Sequence, residues 1–234
     1  MLRVSLIMDA ETLKNDVYNF KEANMARNFL PRGHVERRTK TDLSLFSGVT
    51  PRESKCKVDQ LPGQHGAMPK KLSEYGKQFL AKQVAKHMYG ILERQFRNYY
   101  KKASRMKGAT GEVLLLLLET RLDNVVYRLG FARTRREARQ LVSHRCVLVN
   151  DGKKTRIVNI PSYQLKAGDE VLIKEKCQNQ GRIQESMQLA SQHTMPEWLE
   201  VDAANFKGVV TRLPERNEMP LEVNELYIVE LYSK

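Results

Sequence analysis

The stretch ARTRREARQLVSHR, Ala132–Arg145, sets Arg133, Arg135, Arg136, Arg139, His144 and Arg145 against a single carboxylate, Glu137. A catalytic centre needs one or two placed charges, and a solvated helix face interleaves acids with bases. Neither describes this segment. Guanidinium groups are planar forks that match phosphate oxygens two bonds at a time, so the chemistry on offer is the binding of a polyanion. Thr134 stands three residues before Glu137, the spacing of a capping box. A helix starting there turns free N–H groups and the positive end of its dipole towards Arg133, Arg135 and Arg136. Arg139 follows one turn on, and the arrangement suits a line of phosphates.

A second cationic series, Lys82, Lys86, Arg94, Arg97, Lys101 and Arg105, recurs at spacings of three and four, with a gap at Gly90. The opposite stripe is Leu80, Val84, Met88, Leu92, Phe96, Tyr99, Ala103 and Met106, which predicts helix from about Ser73 to Lys107 with an apolar core face. Gly90 either divides that helix or admits a close backbone. Glu93 is the one acid near the series, too little to balance a solvated face. A third group lies in the segment from Ala26 to Lys71: Arg37, Arg38, Lys55, Lys57, His65, Lys70 and Lys71. All three groups are assigned to one nucleic acid. No dimerising heptad or zinc finger accompanies them, and a broad positive face reads folded RNA by shape better than it reads a DNA groove.

Composition supports that partner. The formal net charge is +13 and the pI about 9.7. Residues 25–108 carry 19 basic and 6 acidic side chains, whereas 183–234 carry 4 and 9. The acidic tail, Glu215 to Glu230, is therefore expected to face protein rather than RNA. Membrane partners are not expected: the longest apolar run, Val113–Leu118, is far short of the ~20 residues of a span. The opening MLRVSLIMDAETLK has no small-residue cleavage site and is not read as a secretory signal. Cys56, Cys146 and Cys177 are widely separated and form no CxxC, which fits a reducing compartment. His34, His65, His87, His144 and His193 do not pair at ligand spacing, so no metal and no cofactor are expected. There is no Walker loop, GxSxG or HExxH. PGQHGAMP lacks the strand–turn–helix context of a phosphate-cradling loop, and His65 is read as a loop side chain that touches RNA. Glu119 and Asp123 flank Arg121, which favours a structural ion network over a carboxylate pair. Neither an enzymatic activity nor a small-molecule substrate is expected.

The elements that must hold these groups follow from periodicity. Residues 26–71 read as mostly loop, with TDLSLFSGV as one short helix ended by Gly48. ATGEVLLLLLETRLDNVVYRLGF is one helical stretch whose Leu114, Leu118, Leu122, Val125 and Leu129 share a face, stopped at Gly130. The arginine helix follows, with Ala138, Leu141 and Val142 buried. The period then changes: CVLVN and TRIVNI are strands joined by DGKK, and AGDEVLIKE repeats the turn-then-strand pattern. Helical spacing returns over Gln180–Gln192. No internal repeat is visible.

These residues resemble a known family. RLDNVVYRLGFARTRREARQLVSHR, VLVN, IVNIPSYQL and GDEVLI resemble the small RNA-binding domain first named for small-subunit ribosomal protein S-four. MARNFLPRG, KTDLSLFSGV, KCKVDQLPGQHGAM, LSEYGKQ, YGILERQFRNYYKKASRMKGATGE, WLEVD and NELYIVELYSK resemble the rest of that ribosomal protein family. The resemblance implies an α+β fold: a mainly helical domain formed by both ends of the chain, an inserted helix–helix–β-sheet RNA-binding domain, and an irregular basic N-terminal segment. The expected divisions are 25–120, 121–182 and 183–234, the last completing the helical domain. The implied role is structural and ribosome-bound in the cytoplasm. Such proteins bind the 5′ domain of small-subunit (16S) ribosomal RNA early and nucleate assembly of the subunit body. With ribosomal proteins S-five and S-twelve they influence decoding accuracy, and in some bacteria they repress their own operon by binding its messenger RNA. The alternatives are an enzyme, since the same domain is appended to pseudouridine synthases and some tRNA synthetases, and a stand-alone RNA-binding stress factor. Two departures stand out. Some members carry four N-terminal zinc-binding cysteines, where this chain has Cys56 alone. The turn in VNDGKKTRIVNI is longer than the usual Val-Asn-Gly form and adds Lys153, Lys154 and Arg156. The resemblance starts at Met25, and KEAN before it can be encoded with a purine-rich ribosome-binding signal. Residues 1–24 are therefore expected to be a non-native or disordered leader, with translation beginning at Met25.

Overall fold

The structure is a computed structural model in which residues 30–49, 52–57, 59–64, 66, 71–190, 195–220 and 223–233 are described. Residues 1–24, expected to be a leader, and His65 and Lys70 lie outside the described residues. Two hydrophobic cores organise the chain, one helical and one built on a sheet.

The helical core gathers α1 (Arg32–Thr39), α3 (Glu74–Met88), α4 (Glu93–Ala103), α5 (Thr110–Glu119) and α10 (Glu225–Tyr232); a single turn, α2 (Arg52–Lys55), lies between α1 and α3. Ser73 caps α3, its hydroxyl accepting from the Gly76 N–H at 3.2 Å. Gly90 divides α3 from α4, and its φ of +63° is the left-handed conformation that glycine adopts without penalty. Phe96, Leu114, Leu115 and Leu118 from the first half pack with Met219, Val223 and Ile228 from the end of the chain. Helix α10 lies against α3 and α5. The approach requires Gly111, because a Cβ there would sit 2.7 Å from the Glu225 side chain.

The second core lies between α6 (Leu122–Arg128), α7 (Arg135–Ser143) and a five-stranded antiparallel sheet of order β2-β1-β3-β5-β4. Its strands are β1 (Val147–Asn150), β2 (Thr155–Ile157), β3 (Glu170–Ile173), β4 (Leu199–Asp202) and β5 (Lys207–Val210), with α8 (Glu175–Gln178) and α9 (Gly181–Ala190) between β3 and β4. The whole is a mixed α+β fold.

Three local outcomes differ from the expectations drawn from the sequence. Thr41–Val49 is not helical: the Asp42 carboxylate accepts from the Ser44 N–H at 2.8 Å, Ser44 takes φ +51°, and the helix of this region is α1 instead. The long helix expected over 109–131 is two. Arg121 pairs with Gln164 in an isolated bridge, the Leu122 N–H donates to Tyr163 O at 2.8 Å and the Leu165 N–H to Thr120 O at 2.9 Å, so the 163–165 segment takes over the backbone at the break. Finally, residues 183–234 serve both cores. Ile183, Trp198, Leu199 and Val210 join the sheet core, and β4–β5 extend the sheet beyond residue 182; Met219 onward joins the helices.

Candidate nucleic-acid interface

Helix α7 presents the arginine cluster. The Thr134 hydroxyl accepts from the Glu137 N–H at 3.3 Å, and the Glu137 carboxylate reaches past the cap residue to the Arg133 N–H at 3.0 Å. This fixes the chain entering the helix and leaves the arginines around its N-terminus. Arg135 is held on three sides. Its Nε donates to Asn124 Oδ1 at 2.8 Å, and its guanidinium lies 4.5 Å from the Tyr127 ring centre and 5.4 Å from that of Tyr89. Such stacking fixes a cation without neutralising it. Arg136 Nη2 donates to Leu30 O at 2.8 Å, and Arg133 pairs with Glu185. Arg139 is half-buried beside His87 and Thr134. Arg133 Nε and Arg135 Nη1 are buried with no hydrogen-bond partner. His144 and Arg145 are exposed at the far end, Arg145 with φ +61°.

Beneath the cluster lies a buried polar network. Glu119, 1% exposed, accepts from Tyr89 OH at 2.6 Å, Asn124 Nδ2 at 2.6 Å and Arg128 Nη2 at 3.0 Å. Burial pushes the Glu119 carboxyl up, but Arg128, Arg135 and the Tyr89 hydroxyl outweigh it and hold the pKa below the usual value. Burial and the adjacent Glu119 push the Tyr89 phenol well up. Asp123 takes both arms of Arg121, at 3.0 and 2.7 Å, and Arg121 also donates to Tyr99 OH at 2.7 Å. The two carboxylates therefore sit in structural ion networks, as expected, but Glu119 takes Arg128 while the intervening Arg121 goes to Asp123 alone. Tyr89 and Tyr99 come from the helical core and Arg128 and Arg135 from the α6–α7 pair, so the network joins the two.

The second cationic series divides. Arg94, Arg97 and Lys101 stand exposed on α4. Lys82 and Lys86 do not share that face: Lys82, 8% exposed, binds Glu93 at 2.8 Å and lies 4.8 Å from the Phe79 ring centre, and Lys86 reaches Glu93 at 3.5 Å. Burial would raise the Glu93 pKa, but Lys82, Tyr232 and Lys86 bring it below the usual value. One carboxylate thus turns two cations inward. In the N-terminal segment Arg37 is a tie, donating to Gln60 O at 2.8 Å and Leu61 O at 3.1 Å. Arg38, Lys55, Lys57 and Lys71 are exposed, with Lys55 5.5 Å from the Phe46 ring centre.

Sequence reasoning missed Arg128, Tyr89 and Tyr127. The tyrosines carry no sequence signal, because their role arises from the meeting of distant helices. The acidic tail is also partly spent internally: Glu218 takes Arg212 at 2.7 Å, Glu225 takes Arg216 at 2.8 Å, and Glu230 accepts from Gln78 at 2.8 Å. Among the described residues, no group of His, Cys, Asp and Glu is placed to hold a metal, and no helix is long and apolar enough to cross a membrane.

The fold and its Thr134-capped, arginine-rich helix point first to a class, that of RNA-binding proteins. The family model described as the S4 domain matches residues 120–171, and the one described as the ribosomal protein S4/S9 N-terminal domain matches residues 27–119. The chain belongs to the ribosomal protein S4 family: it is a structural, ribosomal-RNA-binding protein of the small subunit that serves in translation.

Proposed function

We propose that the chain binds 16S ribosomal RNA directly and early, nucleating assembly of the body of the small subunit, as a cytoplasmic, ribosome-bound protein with no enzymatic activity. The observation that carries this reading is Arg135, stacked on Tyr89 and Tyr127 above buried Glu119. A guanidinium positioned before the ligand arrives loses little freedom on binding phosphate. Arg133, Arg136, Arg139, His144 and Arg145 extend that anchor along α7. Arg94, Arg97 and Lys101 extend it along α4, and Arg38, Lys55, Lys57, His65, Lys70 and Lys71 along the N-terminal segment. Arg37, Lys82 and Lys86 belong to the set as supports that hold these elements in place.

The same reading places ribosomal proteins S-five and S-twelve beside the chain, acting with it on decoding accuracy. The exposed Glu215 and the α10 surface with Leu226, 68% exposed, suit a protein neighbour better than a phosphate. Repression of its own operon would use the arginine surface on a messenger RNA that copies the ribosomal site.

Chemical footprinting on 16S RNA tests the reading. Protection within the 5′ domain by the protein alone, before any other ribosomal protein is added, is the expected result. Protection that requires prior binding of other ribosomal proteins overturns the primary-binder role.

A further inference from the structure

A cleft of about 450 Å3 opens between the loop after α1 and the α6–α7 pair. Its volume is in the range, about 300–1,000 Å3, of sites that enclose a small organic group. The loop lends Phe46 and the adjoining turn Arg52; the α6–α7 pair lends Tyr127, Arg128 and Arg133.

The far wall is rigidly set. Gly130 has φ +79°, and a Cβ on it would sit 2.3 Å from the Ala190 Cβ of α9. The Ser186 hydroxyl donates to Gly130 O at 2.9 Å. Helix α9 is thus seated directly on the end of α6.

Two guanidinium groups at this cleft lack a full set of partners. Arg52 Nη1 and Arg133 Nε have no hydrogen-bond acceptor. The acid nearest Arg52 Nη1 is Asp42, at 3.7 Å, too far for a hydrogen bond. Each side chain keeps about a quarter of its surface exposed, 26% for Arg52 and 24% for Arg133. The unmet atoms are themselves buried, and Arg133 also pairs with Glu185, so a small turn of each guanidinium is what would present its donor to an anion in the cleft.

Aromatic rings stand among these cations. Tyr127 lines the cleft while Arg135 stacks on its ring, and Phe46 lines it with Lys55 nearby. A free anion would use the arginines and leave the rings idle. A nucleotide uses both, with its base against an aromatic ring and its phosphate on a guanidinium fork.

We propose that this cleft receives one unstacked nucleotide of the bound ribosomal RNA, its base against Phe46 and Tyr127 and its phosphate on Arg52 and Arg133. The proposal rests on the RNA-binding reading. It adds that one unpaired base is read individually, by insertion between the N-terminal loop and the small domain, whereas the α7 and α4 cations meet backbone.

Ultraviolet crosslinking of the full chain to 16S 5′-domain RNA, followed by mass spectrometry, tests it. A nucleotide adduct on Phe46 or Tyr127, with none on the exposed Tyr75, is expected. The crosslinked nucleotide is then replaced by an abasic unit. Wild-type affinity should fall about tenfold, while Phe46→Leu should be weaker on intact RNA and indifferent to the abasic change. Tight RNA binding with clean Phe46 and Tyr127 peptides would overturn the cleft and leave the RNA-binding reading standing. Crosslinks from the cleft to another ribosomal protein in assembled subunits would overturn it in favour of a peptide occupant. Absence of RNA binding would overturn both. If Phe46→Leu does not fold, the adduct and the abasic effect on the wild-type protein still decide.

Discussion

The arginines of α7 and the cations of α3–α4 differ in what holds them. On α7, Arg135 is stacked and hydrogen-bonded, Arg136 is tied to Leu30 O, and buried Glu119 lies beneath. On α3–α4, Arg94, Arg97 and Lys101 stand in solvent, while Lys82 and Lys86 bend back to Glu93. The first is a preorganised anchor and the second a solvent-exposed positive surface. Charge density alone does not separate them. The separation comes from whether a neighbouring element supplies an aromatic ring or a carboxylate at the right height.

The largest expected effect breaks the comparison at its foundations. Glu119→Ala strips Arg128, Asn124 and Tyr89 of a shared acceptor and leaves a largely buried guanidinium without its counter-charge. Removing one partner of such a pair costs about 3–5 kcal/mol. Glu93→Ala, at a carboxylate 47% exposed, should cost about 0–1 kcal/mol. Urea unfolding of both variants measures this, and equal losses would mean that the two regions are held alike after all.

The second effect is on RNA. Arg135, Arg136 and Arg139 changed together to Ala should lower the slope of log affinity against log salt by roughly 2, at about 0.7–0.9 for each phosphate no longer neutralised. The Arg94, Arg97 and Lys101 triple should lower it similarly without shifting the thermal midpoint. Lys82→Met should shift the midpoint and leave the slope alone. A reduced slope in Lys82→Met would place that lysine on RNA and erase the division within the series.

The arginine helix was legible because its signals are local: a cap, a capping acid three residues on, and a narrow apolar stripe. Strands β1–β3 were legible for the same reason. The β4–β5 hairpin was not, since LEVDAANFKGVV turns through Phe206 at φ +51° instead of through a glycine, and its alternation is only four residues long on each side. Its Gly208 reads in sequence as a strand breaker, yet a Cβ there would lie 2.5 Å from Leu129; the glycine exists to let α6 sit on the sheet. The inward turn of Lys82 was equally hidden, because it depends on Glu93 lying across the α3–α4 break. Gly208→Ala should cost about 1–3 kcal/mol by overpacking, a third and intermediate effect, read as a lower urea midpoint. Wild-type stability in that variant would mean that α6 can lift from the sheet at little cost.

The smallest effect concerns His87, which sits where the two regions meet. Burial, then Lys86, Arg38 and Arg136, lowers its pKa from 6.5 to about 4, with Glu93 opposing. In the unfolded chain the imidazole takes its proton near pH 6.5, while in the folded one it waits until about 4. Between those values the unfolded state binds the extra proton, so stability falls as pH drops from 6.5 to 4 and the loss then levels off. Glu119 adds a loss at lower pH, since its depressed carboxyl stabilises the fold above its unfolded value near 4.5 and fails as pH falls through the folded one. His87→Gln should flatten the upper window and leave the lower. Phosphates bound at Arg38 and Arg136 would relieve part of the repulsion on His87, so 16S RNA should raise its pKa and bind slightly more tightly at pH 5 than at pH 7. Imidazole proton shifts followed by NMR, with and without RNA, read this directly. A His87 pKa unmoved by saturating RNA would show that neither arginine gains an anion beside it, and would take Arg136 out of the anchor.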